Sequence, residues 1–172
     1  IRWLLPLFPD AVKSYDNIVI GLAVVGMIYA SCIAMVQDDL KRLVAYSSIA
    51  HIGLMCAAVF TLQYDSMQGV MVQMFSHGIN IIGLWIVVEL IEQQTGARKV
   101  SELGVVAKKA PILAIMLVII ALANIALPLT NAFVGEFLMF SGLFSLNIWY
   151  AALVRISIIL SAVYTMKISK NV

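Results

Sequence analysis

Long apolar runs, separated by short polar turns, fill most of this 172-residue chain. A helix needs about 20 consecutive apolar residues to cross a bilayer. The pattern therefore predicts about five membrane-spanning helices. Their expected positions are residues 18–36, 42–62, 67–90, 112–146 and 148–168. The predicted fold is an all-α, polytopic membrane helix bundle that forms a single transmembrane domain over residues 1–172.

The fourth predicted span is unusual in both length and polarity. At about 35 residues it exceeds one crossing, and Pro128 interrupts its apolar run together with Thr130 and Asn131. Because proline removes a backbone donor, we expect two half-helices joined by a non-helical link near Pro128. Glu136 follows this link and is the sole formal charge in residues 110–154. A broken helix beside an intramembrane acid indicates a functional site. The alternative is a kinked helix in which Glu136 makes a local hydrogen bond.

Three ionisable side chains lie at similar depths inside the predicted spans. At a rise of ~1.5 Å per residue, His51, His77 and Glu136 are each about 14–15 Å from one end of their span. Since the hydrocarbon layer is about 30 Å thick, all three are expected near its midplane. Histidine ionises near neutral pH and so suits proton exchange. Either histidine alone is compatible with a plain helix contact, but the three residues together favour a proton or ion path.

Other polar residues extend along the same helices. Gln73 and Asn80 share a face of the third span with its histidine, and Ser47 and Ser48 lie one turn before the histidine of the second span. Stripes of amides and hydroxyls can hold water, and a chain of water molecules conducts protons. Lys41, at the start of the second span, is either an interface anchor or a feed to this path from the cytoplasmic side. Arg155 either pairs with Glu136 or extends outward to the headgroups, and the sequence leaves both open.

The composition agrees with a membrane protein, since 63% of the residues are hydrophobic and 12% are charged. Nucleic-acid binding would need a basic face, whereas the basic residues here lie in loops. Cys32 and Cys56 fall in apolar spans, so we expect neither a disulfide nor a metal role for them. No cluster of His, Cys, Asp and Glu has the spacing of metal ligands, and no metal site is predicted.

The distribution of basic residues predicts the orientation in the membrane. Arg2 and Lys13 are expected on one face, and eight basic residues on the other. These eight are Lys41, Arg42, Arg98, Lys99, Lys108, Lys109, Lys167 and Lys170. The positive-inside bias makes the second face cytoplasmic, or the matrix side in a mitochondrion. The chain opens with Ile1 and without a signal-peptide pattern, and residues 1–9 read as the tail of a helix that ends at Pro6 and Pro9. We therefore expect an internal fragment of a longer polytopic protein.

Three segments resemble a known family. They are QDDLKRLVAYSSIAHIG (residues 37–53), VQMFSHGINIIGLWI (residues 72–86) and ANIALPLTNAFVGEFLMFSG (residues 123–142). All three are similar to the later transmembrane helices of the antiporter-like subunits of respiratory complex I, and most of all to the M-type (chain-4) subunits of NADH:quinone oxidoreductase. The resemblance covers essentially the whole chain. It implies part of a larger antiporter-like fold, with the acid–lysine pair of its first half-channel outside this chain.

The resemblance also implies roles for individual residues. His51 and His77 match the family's central-axis histidines, and Glu136 matches the acid of the broken helix. Sister subunits usually carry lysine at that position, so a carboxylate favours the M-type. Lys41 matches a family lysine that is structural or lines the path. Arg155 matches no position of the pattern.

The resemblance implies proton translocation driven by quinone reduction elsewhere in the complex. No cofactor is expected in this chain, and flavin and iron–sulfur clusters are expected in partner subunits. The expected partners are other complex I membrane subunits, including neighbouring antiporter-like subunits, and the lipid bilayer. The expected location is the bacterial inner membrane or, alternatively, the mitochondrial inner membrane. Two other functions stay open, an Mrp-type cation/proton antiporter subunit and a helical scaffold without transport.

Overall fold

The computed structural model describes residues 1 and 3–172. This part of the chain is helical and contains no β-strand. The helices are α1 (Leu4–Leu7), α2 (Pro9–Val36), α3 (Leu40–Val59), α4 (Tyr64–Thr95), a 3-10 turn (Val100–Glu102), α5 (Gly104–Lys109), α6 (Pro111–Asn124), α7 (Phe133–Leu146) and α8 (Ile148–Asn171). By length and hydropathy α2, α3, α4 and α8 are able to cross a membrane, and α6 and α7 are shorter apolar helices. The predicted all-α membrane bundle with one broken helix is confirmed.

The start of α2 differs from the expectation. Pro9 begins this helix instead of ending a preceding one, and Pro6 lies inside the short α1. Proline suits the first position of a helix because the N–H it lacks would have no intrahelical partner there. The helix therefore starts well before the apolar run that defines the predicted span. Its early polar residues, such as Asp10 and Asp16, extend it beyond the apolar region.

The turn between α3 and α4 comes about three residues earlier in the chain than predicted. Helix α3 ends at Val59, and the hydroxyl of Thr61 donates to the carbonyl of Ala58 at 2.8 Å, which satisfies one of the last free carbonyls. Helix α4 then begins at Tyr64, inside what the sequence suggests is a turn. It ends at Thr95, and the capping residue Gly96 has a φ of 72°, the left-handed conformation that glycine adopts readily.

The broken span has the predicted form. Helix α6 ends at Asn124 and α7 begins at Phe133, with Pro128 inside the link of residues 125–132. Two non-glycine residues of the link have positive φ angles, 52° at Ala126 and 80° at Leu129. Such conformations are uncommon for residues with a Cβ, so the surrounding contacts must hold the link in place.

Small residues bring the second half-helix close to α4. Gly135 of α7 lies against Gln73, and Gly69 of α4 lies against Leu138 and Met139. Without side chains at these points the two backbones approach closely, which is a common way to pack helices in membranes. The polar face of α4 is thereby placed directly beside the start of α7.

The polar connections at one end of the bundle meet on a single face. The side chain of Arg98 donates to Asp39 at 2.7 Å, and the hydroxyl of Ser101 donates to Asp38 at 3.0 Å. Lys167 near the end of α8 donates to the carbonyl of Gln37 at 2.9 Å. These contacts join the turns after α2 and α4 to the end of α8, as expected for loops on one face, and which side of the membrane this face occupies stays a prediction. Lys13 lies near the start of α2 at the other end, and Arg2 lies outside the described residues.

Candidate functional site

Glu136 occupies the first turn of α7, directly after the link. Its side chain is buried, with 7% of the residue surface exposed. A carboxylate near the beginning of a helix is favoured by the partial positive charge of the free N–H groups there. The break in the helix therefore supplies a polar environment for an acid that would otherwise stand in hydrocarbon.

The nearest ionisable neighbour of Glu136 is His51 of α3. Its Nδ1 atom lies 3.1 Å from Oε1 of Glu136, and the residue is 6% exposed. The amide of Gln73 approaches the same carboxylate oxygen from α4, at 3.5 Å. The two residues that the sequence places at equal depth are thus in direct contact, and one residue of the predicted polar stripe joins them.

His77 lies beside His51. The two ring centroids are 5.1 Å apart, with 43° between the ring planes. Nε2 of His77 is 3.0 Å from the hydroxyl of Ser48 on α3. The four side chains form one row, which we call the midplane row, in the order Ser48, His77, His51 and Glu136. His77, His51 and Glu136 are the three residues that the sequence places at similar depth. Ser48 belongs to the polar stripe predicted beside His51.

The remaining polar residues of α4 support the link. The side-chain amide of Asn80 donates to the carbonyl of Ala123 at 3.2 Å and exchanges hydrogen bonds of 3.3 and 3.2 Å with Asn131. The hydroxyl of Ser76 donates to the backbone carbonyl of Asn131 at 3.0 Å. Non-helical backbone at membrane depth needs such partners. Asn80 therefore holds the broken helix in place, a role that the sequence pattern does not reveal.

A second polar cluster lies toward the end of the bundle where the basic loops meet. The hydroxyls of Ser47 and Tyr164 are 2.9 Å apart, and the amide of Asn124 donates to Ser47 at 3.0 Å. Tyr164 is 1% exposed. Neither Tyr164 nor Asn124 was predicted from the sequence as a site residue. The available signals were a polar residue at the end of the first half-helix and a tyrosine well inside an apolar helix.

A small cavity borders the midplane row. It has a volume of about 10 Å³, and its polar lining comes from His51, Glu136, Ser157 and Ser161. This is close to the smallest space that holds one water molecule. The hydroxyl of Ser157 is also 2.7 Å from that of Ser31 on α2, so polar contacts continue from the row toward α2 and α8.

Lys41 does not join the midplane row. Its Nζ atom lies 2.7 Å from Glu89 and 2.8 Å from Glu92, both on α4. Ten residues of α3 separate it from His51, or about 15 Å along the helix axis. Its possible place in a proton path therefore stays a prediction.

One of the two contacts that the sequence leaves open for Arg155 is an ion pair with Glu136. In the described part of the chain its guanidinium forms no ion pair with Glu136. It lies over the ring of Phe140, 5.2 Å from the centroid. Phe140 is one helical turn beyond Glu136 on α7. Arg155 is exposed, so this face of the bundle carries a cation within a membrane helix.

A comparison with protein families identifies the chain. The sequence model of the family described as "NADH:quinone oxidoreductase/Mrp antiporter, TM" matches residues 1–161. The chain belongs to this family. The resemblance drawn from the three sequence segments is thereby confirmed.

Several curated relatives in the NADH:quinone oxidoreductase/Mrp antiporter family are bacterial proteins named NADH-quinone oxidoreductase subunit M. The proteins of Rickettsia prowazekii (strain Madrid E) and Rhodobacter capsulatus are 40% and 34% identical to the chain over its whole length. The chain spans only 35% and 34% of these two relatives, about a third of their length.

Chains of two solved membrane complexes share the helix arrangement. A chain of respiratory complex I from Thermus thermophilus superimposes with a TM-score of 0.94 at 28% identity, over 99% of this chain and 36% of that chain. A chain of the archaeal membrane-bound sulfane sulfur reductase superimposes with a TM-score of 0.86. Its identity is 23%, over 92% of this chain and 33% of that chain, and this similarity concerns the fold alone.

Proposed function

We propose that this chain is part of an M-type subunit of NADH:quinone oxidoreductase and that protons move along the midplane row. The observation that carries the proposal is the 3.1 Å approach of Nδ1 of His51 to Oε1 of Glu136 at the start of the broken helix. Two groups that exchange protons need heavy-atom separations of about 2.6–3.2 Å. This pair meets that requirement, and both members are buried.

The chemistry of the row follows from its geometry. A protonated Glu136 passes its proton to Nδ1 of His51, which leaves a carboxylate beside an imidazolium. Nε2 of His51 then releases a proton toward His77, whose Nε2 atom contacts the hydroxyl of Ser48. With ring centroids 5.1 Å apart, the step between the histidines proceeds through a ring rotation or a bridging water.

Electron transfer belongs to other subunits in this proposal. The chain binds no cofactor, whereas flavin and iron–sulfur clusters reside in partner subunits, and quinone reduction there drives the proton movement. Its partners are other membrane subunits of the complex, including neighbouring antiporter-like subunits, together with lipid. The names of the curated relatives support this assembly. Their bacterial sources favour the bacterial inner membrane over the mitochondrial inner membrane.

A cation/proton antiporter subunit of the Mrp type is the second candidate. The description of the matching family includes both classes. The names of the curated relatives favour the oxidoreductase. Purification of the intact parent protein from its native membrane distinguishes the two. Flavin and iron–sulfur proteins accompany an oxidoreductase subunit, and a preparation without them would contradict our assignment.

Glu136→Gln in the intact parent protein tests the proton path. Glutamine keeps the size of the side chain and cannot release a proton at neutral pH. We expect proton pumping through this subunit to fall by about a hundredfold or more, as for loss of a general acid–base group. Pumping is measured in inverted membrane vesicles, with electron transfer recorded in parallel.

Asp65→Asn is the matched control, because it neutralises an exposed carboxylate in the first turn of α4. We expect this variant to pump normally. If Glu136→Gln pumps as well as Asp65→Asn at the same rate of electron transfer, the chain is a helical scaffold and the proposed path is wrong.

A further inference from the structure

The small cavity beside the midplane row is bordered by two serine side chains of α8. Ser157 and Ser161 are four residues apart, so they lie on one face of that helix. They line the cavity together with His51 and Glu136, and its other lining residues are apolar. Each of these four polar residues is at most 7% exposed. The site therefore does not depend on what covers the outer surface of the bundle.

The hydrogen bonds of the serines fix where their hydroxyl protons point. Ser31 donates to the carbonyl of Met27 at 2.9 Å and thereby uses its only hydroxyl proton. In the 2.7 Å contact between the hydroxyls of Ser31 and Ser157 the donor is therefore Ser157. The hydroxyl of Ser161 donates to the carbonyl of Ile158 at 2.7 Å. Since both protons are already used, the two α8 hydroxyls can only accept further hydrogen bonds from the cavity.

His51 borders the same cavity and has a free ring nitrogen. Its Nδ1 atom lies 3.1 Å from Glu136, whereas its Nε2 atom is buried and makes no hydrogen bond within the described residues. A neutral imidazole carries one proton. If Nδ1 is to receive the proton of Glu136, that single proton must be on Nε2. A buried N–H group needs an acceptor, and both hydroxyls of α8 are themselves acceptors. Only a molecule with two donors and one acceptor satisfies all three groups.

We propose that the cavity binds one water molecule, which accepts a hydrogen bond from Nε2–H of His51 and donates to the hydroxyls of Ser157 and Ser161. Three hydrogen bonds are typical of a buried water molecule, and a volume of about 10 Å³ is near the smallest that holds one. Because α8 takes both hydrogens of the water, its oxygen faces His51 as an acceptor.

The water thereby selects the tautomer of His51 that the proposed proton path requires. With Nε2 protonated, the lone pair of Nδ1 faces Glu136 and can receive its proton. The hydrogen bond from Nε2–H persists in the imidazolium, since the added proton is on Nδ1, and it breaks when Nε2 releases its proton toward His77. Ser157 and Ser161 are therefore positioning residues for the first transfer. This inference rests on the proposed proton path.

A density map of the intact parent protein, at a resolution that shows ordered water, tests the site directly. We expect a peak about 2.7–3.2 Å from Nε2 of His51 and from both hydroxyl oxygens. The double variant Ser157→Ala, Ser161→Ala removes both acceptors and should abolish the peak. Proton pumping in inverted vesicles should fall by about tenfold, because the hydrogen bond to a group that becomes charged is lost.

Nitrogen-15 NMR of the histidine-labelled parent protein reports the tautomer. The signal of His51 is assigned by its loss in His51→Gln, and it should show a protonated Nε2 in the parent. In the double variant the population should shift toward protonation at Nδ1. Ser145→Ala is the matched control, because its hydroxyl donates to the carbonyl of Gly142 in the same way but does not border the cavity. This variant should keep the peak, the tautomer and the pumping rate.

The possible outcomes separate the alternatives. A map that shows other ordered water but no peak here would overturn the water site. A peak that contacts Glu136 but not Nε2 of His51, or an unchanged tautomer in the double variant, would overturn the positioning role. If the double variant accumulates poorly, pumping per assembled protein in Ser161→Ala decides, and a normal rate would refute the role. Normal pumping in Glu136→Gln, with the peak present in the parent, would refute the proton path and leave the water site standing.

Discussion

The contact between α4 and α7 can be tested by adding a single methyl group. A Cβ at Gly69 would lie 2.8 Å from the backbone nitrogen of Met139 and 2.9 Å from the carbonyl oxygen of Gly135. Ordinary van der Waals contact begins at about 3.4 Å. Backbone atoms cannot rotate away as a flexible side chain can. In Gly69→Ala the two helices must therefore separate by about 0.6 Å or distort locally.

The expected effect concerns both stability and transport. Overpacking of this kind costs about 1–3 kcal/mol of the free energy of unfolding. Gly135 directly precedes Glu136, so the displacement is applied at the residue that bears the acid. The separation of 3.1 Å between Glu136 and His51 is near the upper limit for proton exchange. An increase of a few tenths of an ångström there lowers the rate of proton transfer, and pumping should fall together with stability.

Thermal unfolding of the intact parent protein in detergent measures the first effect, and pumping in vesicles measures the second. Gly78→Ala is the matched control, because it lies on the same helix and its added Cβ meets nothing within 4 Å. Alanine also favours a helix over glycine by up to about 1 kcal/mol, so the control should be neutral or stabilised. A Gly69→Ala protein that is as stable and as active as Gly78→Ala would refute the close approach of α4 and α7.

Two further predictions concern the link and the basic loops. Asn80→Leu deprives the carbonyl of Ala123 and the amide of Asn131 of their partner, and it should lower the free energy of unfolding by about 1–3 kcal/mol. Gln93→Leu, which removes an exposed amide, should have little effect, and an equal loss in both variants would contradict the role of Asn80. Burial raises the pKa of Asp39, but the hydrogen bonds from Arg98 and the N–H of Arg42 outweigh it, so the net pKa lies below its usual value. Because the pKa of Asp39 is lower in the folded protein than in the unfolded chain, the ionised carboxylate stabilises the fold above about pH 4. This stabilisation is lost as the pH falls through the pKa of Asp39 in the folded state. The free energy of unfolding, measured as a function of pH, should be lower for Asp39→Asn than for the parent at neutral pH. The two values should converge at low pH. A difference that stays constant from neutral to low pH would contradict the ion pair.

The sequence predicted where each site residue lies along its own helix better than which residues it contacts. An apolar run has two ends, so the position of Glu136, His51 or His77 along its helix follows from counting residues. The break near Pro128 followed from proline chemistry in the same way. Each of these inferences uses one helix at a time, and the structure contains the break that was expected.

The missed features depend on pairs of helices. Whether His51 touches Glu136, or merely shares its depth, depends on the rotation of α3 and α7 about their axes. The apolar pattern fixes that rotation only loosely, since these helices have apolar residues on nearly every side. The contact of Lys41 with Glu89 and the cluster around Tyr164 were unpredictable for the same reason, because residues far apart in the chain form them. The early start of α2 had a different cause, since polar residues can continue a helix beyond the apolar region.

The contact between Glu136 and His51 makes a buried acid tolerable while keeping its proton movable. A carboxylic acid beside a neutral imidazole and a carboxylate beside an imidazolium have the same net charge of zero. A proton can therefore cross the 3.1 Å between them without creating a net charge in the membrane. The costly step is the transfer of a proton into or out of the pair, because it leaves one uncompensated charge at the midplane. In the described part of the chain, the side-chain amide of Gln73 is the other polar group in contact with the carboxyl of Glu136. In the proposed proton path, control then acts at the two ends of the pair, at His77 on one side and, on the other, at the apolar groove that Phe133 and Phe137 line beside Glu136.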